Sequence, residues 1–269
     1  MPATIVQYDL KPRLLQVRAA QRITPRLVRV TLGGDDLDGF RGPAPADHVK
    51  VFLPVDGADL PVMPTLGTQG LIPPPPGSPR PVFRDYTVRA HRPEARELDL
   101  DFVIHGEGPA STWAAQATEG QTVGVLGPRG SVLIPMDLDW YLIAGDETAL
   151  PAVARFLEQI PAGRRVLAYV EVADALEEQK LTWQADVTLT WLHRDGAEPG
   201  TTTLLLDAIT AAELPPGDGF AWIAGEATTL KPIRRHLRDD RALPRDAVDV
   251  DGYWKRGVQN LDHHAPDED

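Results

Sequence analysis

The chain has 269 residues, 42% hydrophobic and 25% charged, with 27 Lys and Arg against 39 Asp and Glu and no cysteine. That length allows one large domain or two ordinary ones. The missing cysteines exclude disulfides, thiolate metal sites, iron–sulfur clusters and a cysteine nucleophile, and a net charge of −12 argues against nonspecific nucleic-acid binding.

Residues 14–135 read as all-β. LLQVRAAQRIT and RLVRVTLGG are two strands joined around Thr24 and Pro25. HVKVFLPV, VFRDYTVRAH, LDLDFVIHG and QTVGVLGPRGSVLI follow, the last with a turn. Gly, Pro and Asp punctuate the runs, and several short strands in about 120 residues predict a closed antiparallel barrel. The stretch LIPPPPGSPRP, residues 71–81, cannot be an interior strand, because proline has no N–H to donate. It reads as an extended surface loop.

From residue 140 the pattern changes. WYLIAG, RRVLAYVEV, DVTLTWLHR and GFAWIAG are short apolar strands. They alternate with the helical stretches ETALPAVARFLEQI, TTTLLLDAITAAEL and ATTLKPIRRHLRDD, and ADALEEQK reads as a helical turn or two. Strand–helix alternation of this kind predicts a parallel sheet covered by helices, an α/β nucleotide-binding domain. The predicted domains are therefore 1–138, a β-barrel, and 139–269, an α/β domain with a C-terminal tail. Charge follows the same division: residues 1–139 hold 14 Lys and Arg against 16 Asp and Glu, and residues 140–269 hold 13 against 23. The first half is the better place to meet an anion. No apolar run approaches the ~20 residues of a membrane-spanning helix. The opening MPATIVQYDLKPRLL lacks the basic-then-apolar pattern of a secretory signal, so a cytoplasmic location is expected.

Four stretches can carry chemistry. In VFRDYTVRAH, strand alternation puts Arg84, Tyr86 and Val88 on one face and Asp85, Thr87 and Arg89 on the other. A guanidinium and a phenol side by side suit a flat, phosphorylated ligand such as a flavin dinucleotide, with the Thr87 backbone for the ring edge. HGEGPASTWAAQATEG, residues 105–120, is a glycine-rich turn followed by a helix, with Ala110 or Ser111 near its start; free N–H groups there suit a diphosphate. AGDETALPAV and IAGEATTLKPIRRHL each follow an apolar strand, where open α/β sheets bind ligands. Asp146, Glu147 and Thr148 serve there either as helix caps or as a wall of a nicotinamide pocket. Gly145 and Gly225 allow either a tight turn or a close ligand. In GYWKRG, Tyr253 or Trp254 either covers a flavin face or packs the chain end. His263 and His264, in the acidic tail, read as solvated rather than as metal ligands. No G-x-S-x-G, H-E-x-x-H or G-x-G-x-x-G spacing occurs, and no catalytic acid–base set or metal site is predicted.

Taken in order, ITPRLVRVTLGGDDL, DHVKVFLP, RDYTVR, HGEGPASTWA, GPRGS, GDETALPAV, GEATTLKPIRRHL and GYWKRG resemble the siderophore-interacting protein family, flavin-dependent ferric-siderophore reductases of the ferredoxin-reductase-like group. The resemblance implies FAD held by Arg84, Tyr86, Thr87, Arg89, His105, Gly108, Ala110, Ser111 and Trp113. It implies a nicotinamide pocket near Asp146, Thr148 and Ala149, with Trp254 beside the cofactors. It also implies a basic patch of Lys50, Arg129 and Lys255 or Arg256 for an anionic ferric siderophore. NADPH or NADH is the expected donor, a ferredoxin a less favoured one. Glu171 and Asp174 favour NADH, while His193 and Arg194 favour NADPH. Two other readings stay open: a flavin reductase-like module serving a protein partner, and a carrier that binds iron chelates without turning them over.

Overall fold

The computed structural model describes residues 3–259 apart from 56, 69 and 107; His263 and His264 lie outside the described residues. The chain divides into two compact units, one spanning Thr4–Leu133 and one beginning at Ile134, just ahead of the predicted boundary.

Among the described residues, the first unit contains ten strands, one α-helix and a 3₁₀ turn at Asp35–Leu37. The strands and the helix are β1 (Thr4–Gln7), β2 (Pro12–Thr24), β3 (Leu27–Gly33), β4 (His48–Leu53), β5 (Thr65–Gly67), β6 (Gly70–Ile72), β7 (Val82–Arg92), β8 (Glu97–Val103), α1 (Pro109–Ala115), β9 (Thr122–Leu126) and β10 (Gly130–Leu133). Six strands close a barrel in the order β2-β3-β8-β7-β4-β9, all antiparallel. Alternation builds it. Leu15 and Val17 of β2, Val28, Val30 and Leu32 of β3, and Leu98, Leu100 and Phe102 of β8 turn inward and are fully or nearly fully buried. Each such side chain contributes roughly 1.5–3 kcal/mol on burial.

The outward face of β8 departs from simple alternation. Asp99 and Asp101 are buried too, because neighbouring strands supply cations: Arg29 holds Asp101 at 2.6 and 2.8 Å, and Arg92 holds Asp99 at 2.7 Å through two nitrogens. Burial works to raise the Asp99 carboxyl, but Arg92 and Thr31 outweigh it and hold it below the usual carboxylate range. The alternation in β7 is also broken, by a register shift against β8 between Val88 and Ala90, and Thr87 and Val88 are both buried.

Two small ribbons stand outside the barrel. β1 pairs with β10, so the second half of QTVGVLGPRGSVLI leaves the barrel. β5 pairs with β6, so the predicted 71–81 loop begins as a short strand at Leu71 and Ile72 and is irregular beyond.

The second unit contains β11 (Trp140–Asp146), α2 (Leu150–Gln159), β12 (Arg165–Val172), β13 (Asp186–His193), α3 (Leu204–Ala211), β14 (Gly219–Glu226), α4 (Ala227–Arg235) and β15 (Val248–Trp254). The five strands form one parallel sheet, ordered β13-β12-β11-β14-β15. One face packs against α3 and α4 through Leu142, Ala144, Ile223, Leu205, Ile209 and Ile233.

ADALEEQK supplies a single 3₁₀ turn at Ala175–Glu177, within the helical turn or two expected, and no α-helix lies between β12 and β13. One expectation is corrected. The first three residues of GYWKRG, read as lying outside the regular alternation, instead complete β15 and place Tyr253 and Trp254 on a sheet edge. The chain moves outward from β11 to β13, then returns to the other side for β14 and β15. The carboxyl ends of β11 and β14 therefore form the point where strand order reverses, the place where such sheets take ligands.

Candidate functional site

The barrel site is built on β7, β8 and α1. Tyr86 leaves β7 on the face that packs the core and lies against Phe102 of β8, ring centroids 4.1 Å apart. Phe102 in turn meets Trp113 of α1 at 5.5 Å. The aromatic row fixes both polar tips. Burial pushes the Tyr86 phenol up from its ordinary value, with the Arg84 charge pulling the other way, and the hydroxyl stays protonated.

Three polar groups on this row are not spent on the protein. The Tyr86 hydroxyl makes no hydrogen bond among the described residues. The Trp113 indole nitrogen is buried without a partner, against the rule that buried donors are satisfied. Arg84 donates to the Phe83 carbonyl at 2.6 Å but has no carboxylate in ion-pair range among the described residues. Arg89 and Thr87 differ: Arg89 already has a partner and the Thr87 side chain is buried.

The turn before α1 is held by Ser111, whose hydroxyl accepts the His105 N–H at 2.8 Å. Ser111 thus clasps the loop and keeps only its own proton to donate. Gly108 is the N-cap and Pro109 follows; no side chain caps the helix. A Cβ on Gly108 would meet only the His105 ring, at 3.7 Å, so open space lies beside the first turn. Ala110 and Ser111 are buried there and His105 is exposed. A cation, a phenol, an unpaired indole N–H and an uncapped, open turn match the needs of a flavin dinucleotide. Arg84, Tyr86 and Trp113 are the residues that would hold it.

The predicted substrate cations differ among themselves. Lys50 of β4 stands opposite Asp85 of β7 and is paired with it at 2.9 and 3.0 Å, over the Phe83 ring. Its charge is largely neutralised. Arg129 is exposed, and its guanidinium has no partner among the described residues. Lys255 and Arg256 are exposed beyond the end of β15, and the Arg256 backbone N–H donates to Glu226 at 3.1 Å.

In the second unit, the strand-end carboxylates are tied down. Asp146, the last residue of β11, accepts from the Thr148 N–H at 2.9 Å and hydroxyl at 2.5 Å, and from the Trp254 indole N–H at 2.7 Å. Burial, then the Glu147 charge, push its carboxyl up to about 7, against the hydrogen bonds. A bulge between β14 and β15 steps the register past Tyr253, so that Trp254 stands opposite Glu226. Trp254 is therefore fixed in place by Asp146 rather than loosely packing a chain end.

The helix-cap role suggested for Asp146, Glu147 and Thr148 is not found. The N-cap of α2 is Ala149, which is fully buried and makes no side-chain cap. Gly145 and Gly225 answer to the protein itself. A Cβ on Gly145 would lie 2.5 Å from the Ala224 oxygen and the Ala149 methyl, and one on Gly225 would lie 2.7 Å from the Asp146 carboxylate.

Sequence reasoning missed a network. Arg194, side chain 1% exposed, grips Glu147 at 2.6 and 2.7 Å and touches Glu171 at 3.4 Å; Thr202 donates to Glu171 at 2.9 Å. Burial opposes the Arg194 charge, but Glu147 and Glu171 outweigh it and hold the guanidinium above its ordinary value. The only sequence signal was that a Glu, a Glu and an Arg stand at three neighbouring strand ends.

A closed six-stranded antiparallel barrel and a parallel five-stranded sheet whose strand order reverses at its centre define a two-unit, barrel plus α/β class of fold. The fold is shared with the ferredoxin reductase of a carbazole 1,9a-dioxygenase, at TM-score 0.61 and 17% identity over 90% of this chain and 67% of that one. Two family models match: the siderophore-interacting FAD-binding domain over residues 16–132 and the siderophore-interacting protein model over 138–257. The chain is 34% identical over 258 residues to the ferric vibriobactin reductase ViuB of Vibrio cholerae, covering 94% of this chain and 93% of that protein. It is 35% identical over 253 residues to the NADPH-dependent ferric-chelate reductase of Escherichia coli, covering 93% and 95%. A crystal structure of a siderophore utilization protein from T. fusca superposes at TM-score 0.91 with 49% identity, covering 98% and 100%. This chain belongs to the siderophore-interacting protein family.

Proposed function

We propose that the chain is an NAD(P)H-dependent, FAD-linked reductase of ferric siderophores, with FAD on the barrel (1–138) and the nicotinamide on the α/β domain (139–269). The observation that carries this reading is the unspent polar set of the barrel: Arg84, the Tyr86 hydroxyl and the buried, unpaired Trp113 N–H. Arg84 takes the role of neutralising the diphosphate, Tyr86 and Trp113 that of donating to the flavin, and the open turn at Gly108 that of admitting the phosphates to backbone N–H groups. The Phe102 contacts keep both donors aimed without rearrangement.

Bound FAD supplies the exchange between a two-electron hydride donor and a one-electron acceptor. The iron is substrate. Hard oxygen ligands hold Fe³⁺ strongly and Fe²⁺ more weakly, so one-electron reduction loosens the metal. That chemistry needs no acid–base pair in the protein, in keeping with a site that offers donors and cations.

For the chelate, Arg129 is the favoured barrel cation. Lys50, already paired with Asp85, contributes at the low end of the ~1–4 kcal/mol range of a near-surface charge. Neither nucleotide is singled out by the strand ends, because Arg194, the best candidate for a 2′-phosphate, is committed to Glu147 and Glu171, and His193 pairs with Glu178 at 2.8 Å. The named relative from Escherichia coli uses NADPH. A ferredoxin is disfavoured as donor by the acidic second half.

Anaerobic mixing tests the proposal. The yellow protein is expected to bleach with NADPH or NADH and regain its colour on addition of a ferric catecholate, with Fe²⁺ trapped by ferrozine. Protein that takes up flavin but is not reoxidised by any ferric chelate contradicts it.

A further inference from the structure

Arg129 sits in the turn between β9 and β10, residues 127–129, and two buried charged side chains serve that turn. The first is Arg13 of β2. Its guanidinium donates to three backbone carbonyls, those of Lys11 and Gly127 at 2.9 Å and of Asp36 at 3.1 Å, and lies 5.1 Å from the centre of the Phe40 ring. A buried cation is costly unless its donors are satisfied, so Arg13 and the Gly127 carbonyl hold each other in place.

The second is Asp47, just ahead of β4. One of its carboxylate oxygens accepts from the Ala44 N–H at 2.8 Å and from the Ser131 hydroxyl at 2.7 Å. A serine hydroxyl has one proton, and Asp47 receives it. At the 3.0 Å contact between Ser131 and Tyr8 the phenol is therefore the donor. Tyr8 reaches the turn a second time through its backbone, whose N–H donates to the Arg129 carbonyl at 2.9 Å. β1 runs so close behind that any Cβ on Gly130 would collide with the Val6 carbonyl.

Gly127, Arg129 and Ser131 are thus each tied to another element, while the Arg129 side chain stays exposed. A fixed backbone under an exposed cation is the arrangement of a group that must be aimed, because the ordering is done before the ligand arrives. Lys50 shows the contrast: its charge is taken up by Asp85.

We propose that Tyr8, Ser131 and Asp47, together with Arg13, are positioning residues that present the Arg129 guanidinium to the anionic chelate. Arg129 makes the contact, and the other four act through its backbone. The inference rests on the reductase reading and adds to its chelate site.

The probes are the trianionic ferric complex of MECAM, a synthetic tripodal tris-catechol, and neutral ferric tris-acetohydroxamate. Kd is read by equilibrium dialysis against the oxidised, flavin-loaded protein, and KM and kcat by ferrozine trapping. The variants are Tyr8→Phe and Ser131→Ala, each alone and combined with Arg129→Ala. Tyr8→Phe keeps the ring and the backbone N–H and loses only the hydroxyl. Arg129→Ala is expected to weaken ferric MECAM about tenfold, the loss of one charge-assisted contact. Tyr8→Phe and Ser131→Ala are each expected to raise its Kd and KM about threefold and to add nothing once Arg129 is alanine, the mark of coupled residues. In both variants kcat and the acetohydroxamate constants stay unchanged. A general weakening of the barrel would shift both chelates alike or persist in the Arg129→Ala background, and either result overturns the inference. So does unchanged MECAM binding in Arg129→Ala, or in both Tyr8→Phe and Ser131→Ala. Binding to the oxidised protein needs no turnover. If ferric MECAM shows this coupling but never reoxidises the reduced protein, the reductase reading fails and the positioning inference stands.

Discussion

Asp146 accepts three hydrogen bonds, all of which favour its charged form, yet burial and the adjacent Glu147 push its carboxyl up to about 7. The sign of the consequence is fixed. Its folded value lies above the ordinary carboxylate value of 3.8, so the stability it contributes is complete below about pH 4 and is lost as pH rises through 7. The difference between 3.8 and about 7 corresponds to about 4 kcal/mol at most. Asp146→Asn removes the titration and keeps one acceptor for Thr148 or Trp254. The stability of this variant relative to the unaltered protein, from urea melts at pH 4, 5.5, 7 and 8, is expected to improve steadily up to pH 7 and level off above it. A difference that is flat with pH would show that the three hydrogen bonds win and that Asp146 is ionised throughout. Comparison of the two proteins cancels Asp249, whose carboxyl is also raised, to about 6, by burial and by Asp251.

At the scale of elements, the ends of three neighbouring strands are held by one guanidinium. Arg194 follows β13 and bridges Glu147, after β11, to Glu171 at the end of β12. Removing one partner of such a group strands the others, at a typical cost of 3–5 kcal/mol. Arg194→Met is expected to lower the unfolding free energy, read from urea melts, by that much; a loss under about 1 kcal/mol would mean that water reaches the two glutamates and replaces the cation. Legibility in the sequence follows the same physics. The barrel strands were readable because Leu, Val and Phe alternate over them, and β11, β12 and β14 because they are apolar runs. β15 was not, because VDVDGYW sets Asp and Gly between its apolar residues, types depleted in strands. It is an edge strand, and two arginines bond its carbonyls: Arg234 of α4 donates to Val250 at 2.8 Å, and Arg238, in the helical turn His236–Asp240 that follows α4, to Val248 at 3.4 Å. No local pattern announces a partner supplied from another element. The same reason hid the Asp85 partner of Lys50, thirty-five residues away in sequence, and let Arg194 read as a free cation.

At the scale of the whole molecule, the two halves carry different charge, and the near-neutral barrel half keeps Arg84 free of any carboxylate among the described residues while the acidic half commits Arg194 to Glu147 and Glu171. Candidate residues were legible as motifs, RDYT and GPASTW, but what each does was not: Ser111 clasps a loop, Thr87 is buried, and Trp113 alone is left buried and unpaired. FAD is expected to supply the partners of Arg84, Tyr86 and Trp113 on the barrel. Calorimetric titration of FAD into flavin-stripped protein measures it directly. One FAD per chain is expected to bind, about tenfold more weakly in Trp113→Phe and about a hundredfold more weakly in Arg84→Ala, the costs of one neutral and one charge-assisted hydrogen-bonding group. Absence of heat from FAD in the unaltered protein, or binding unchanged in both variants, would contradict the account.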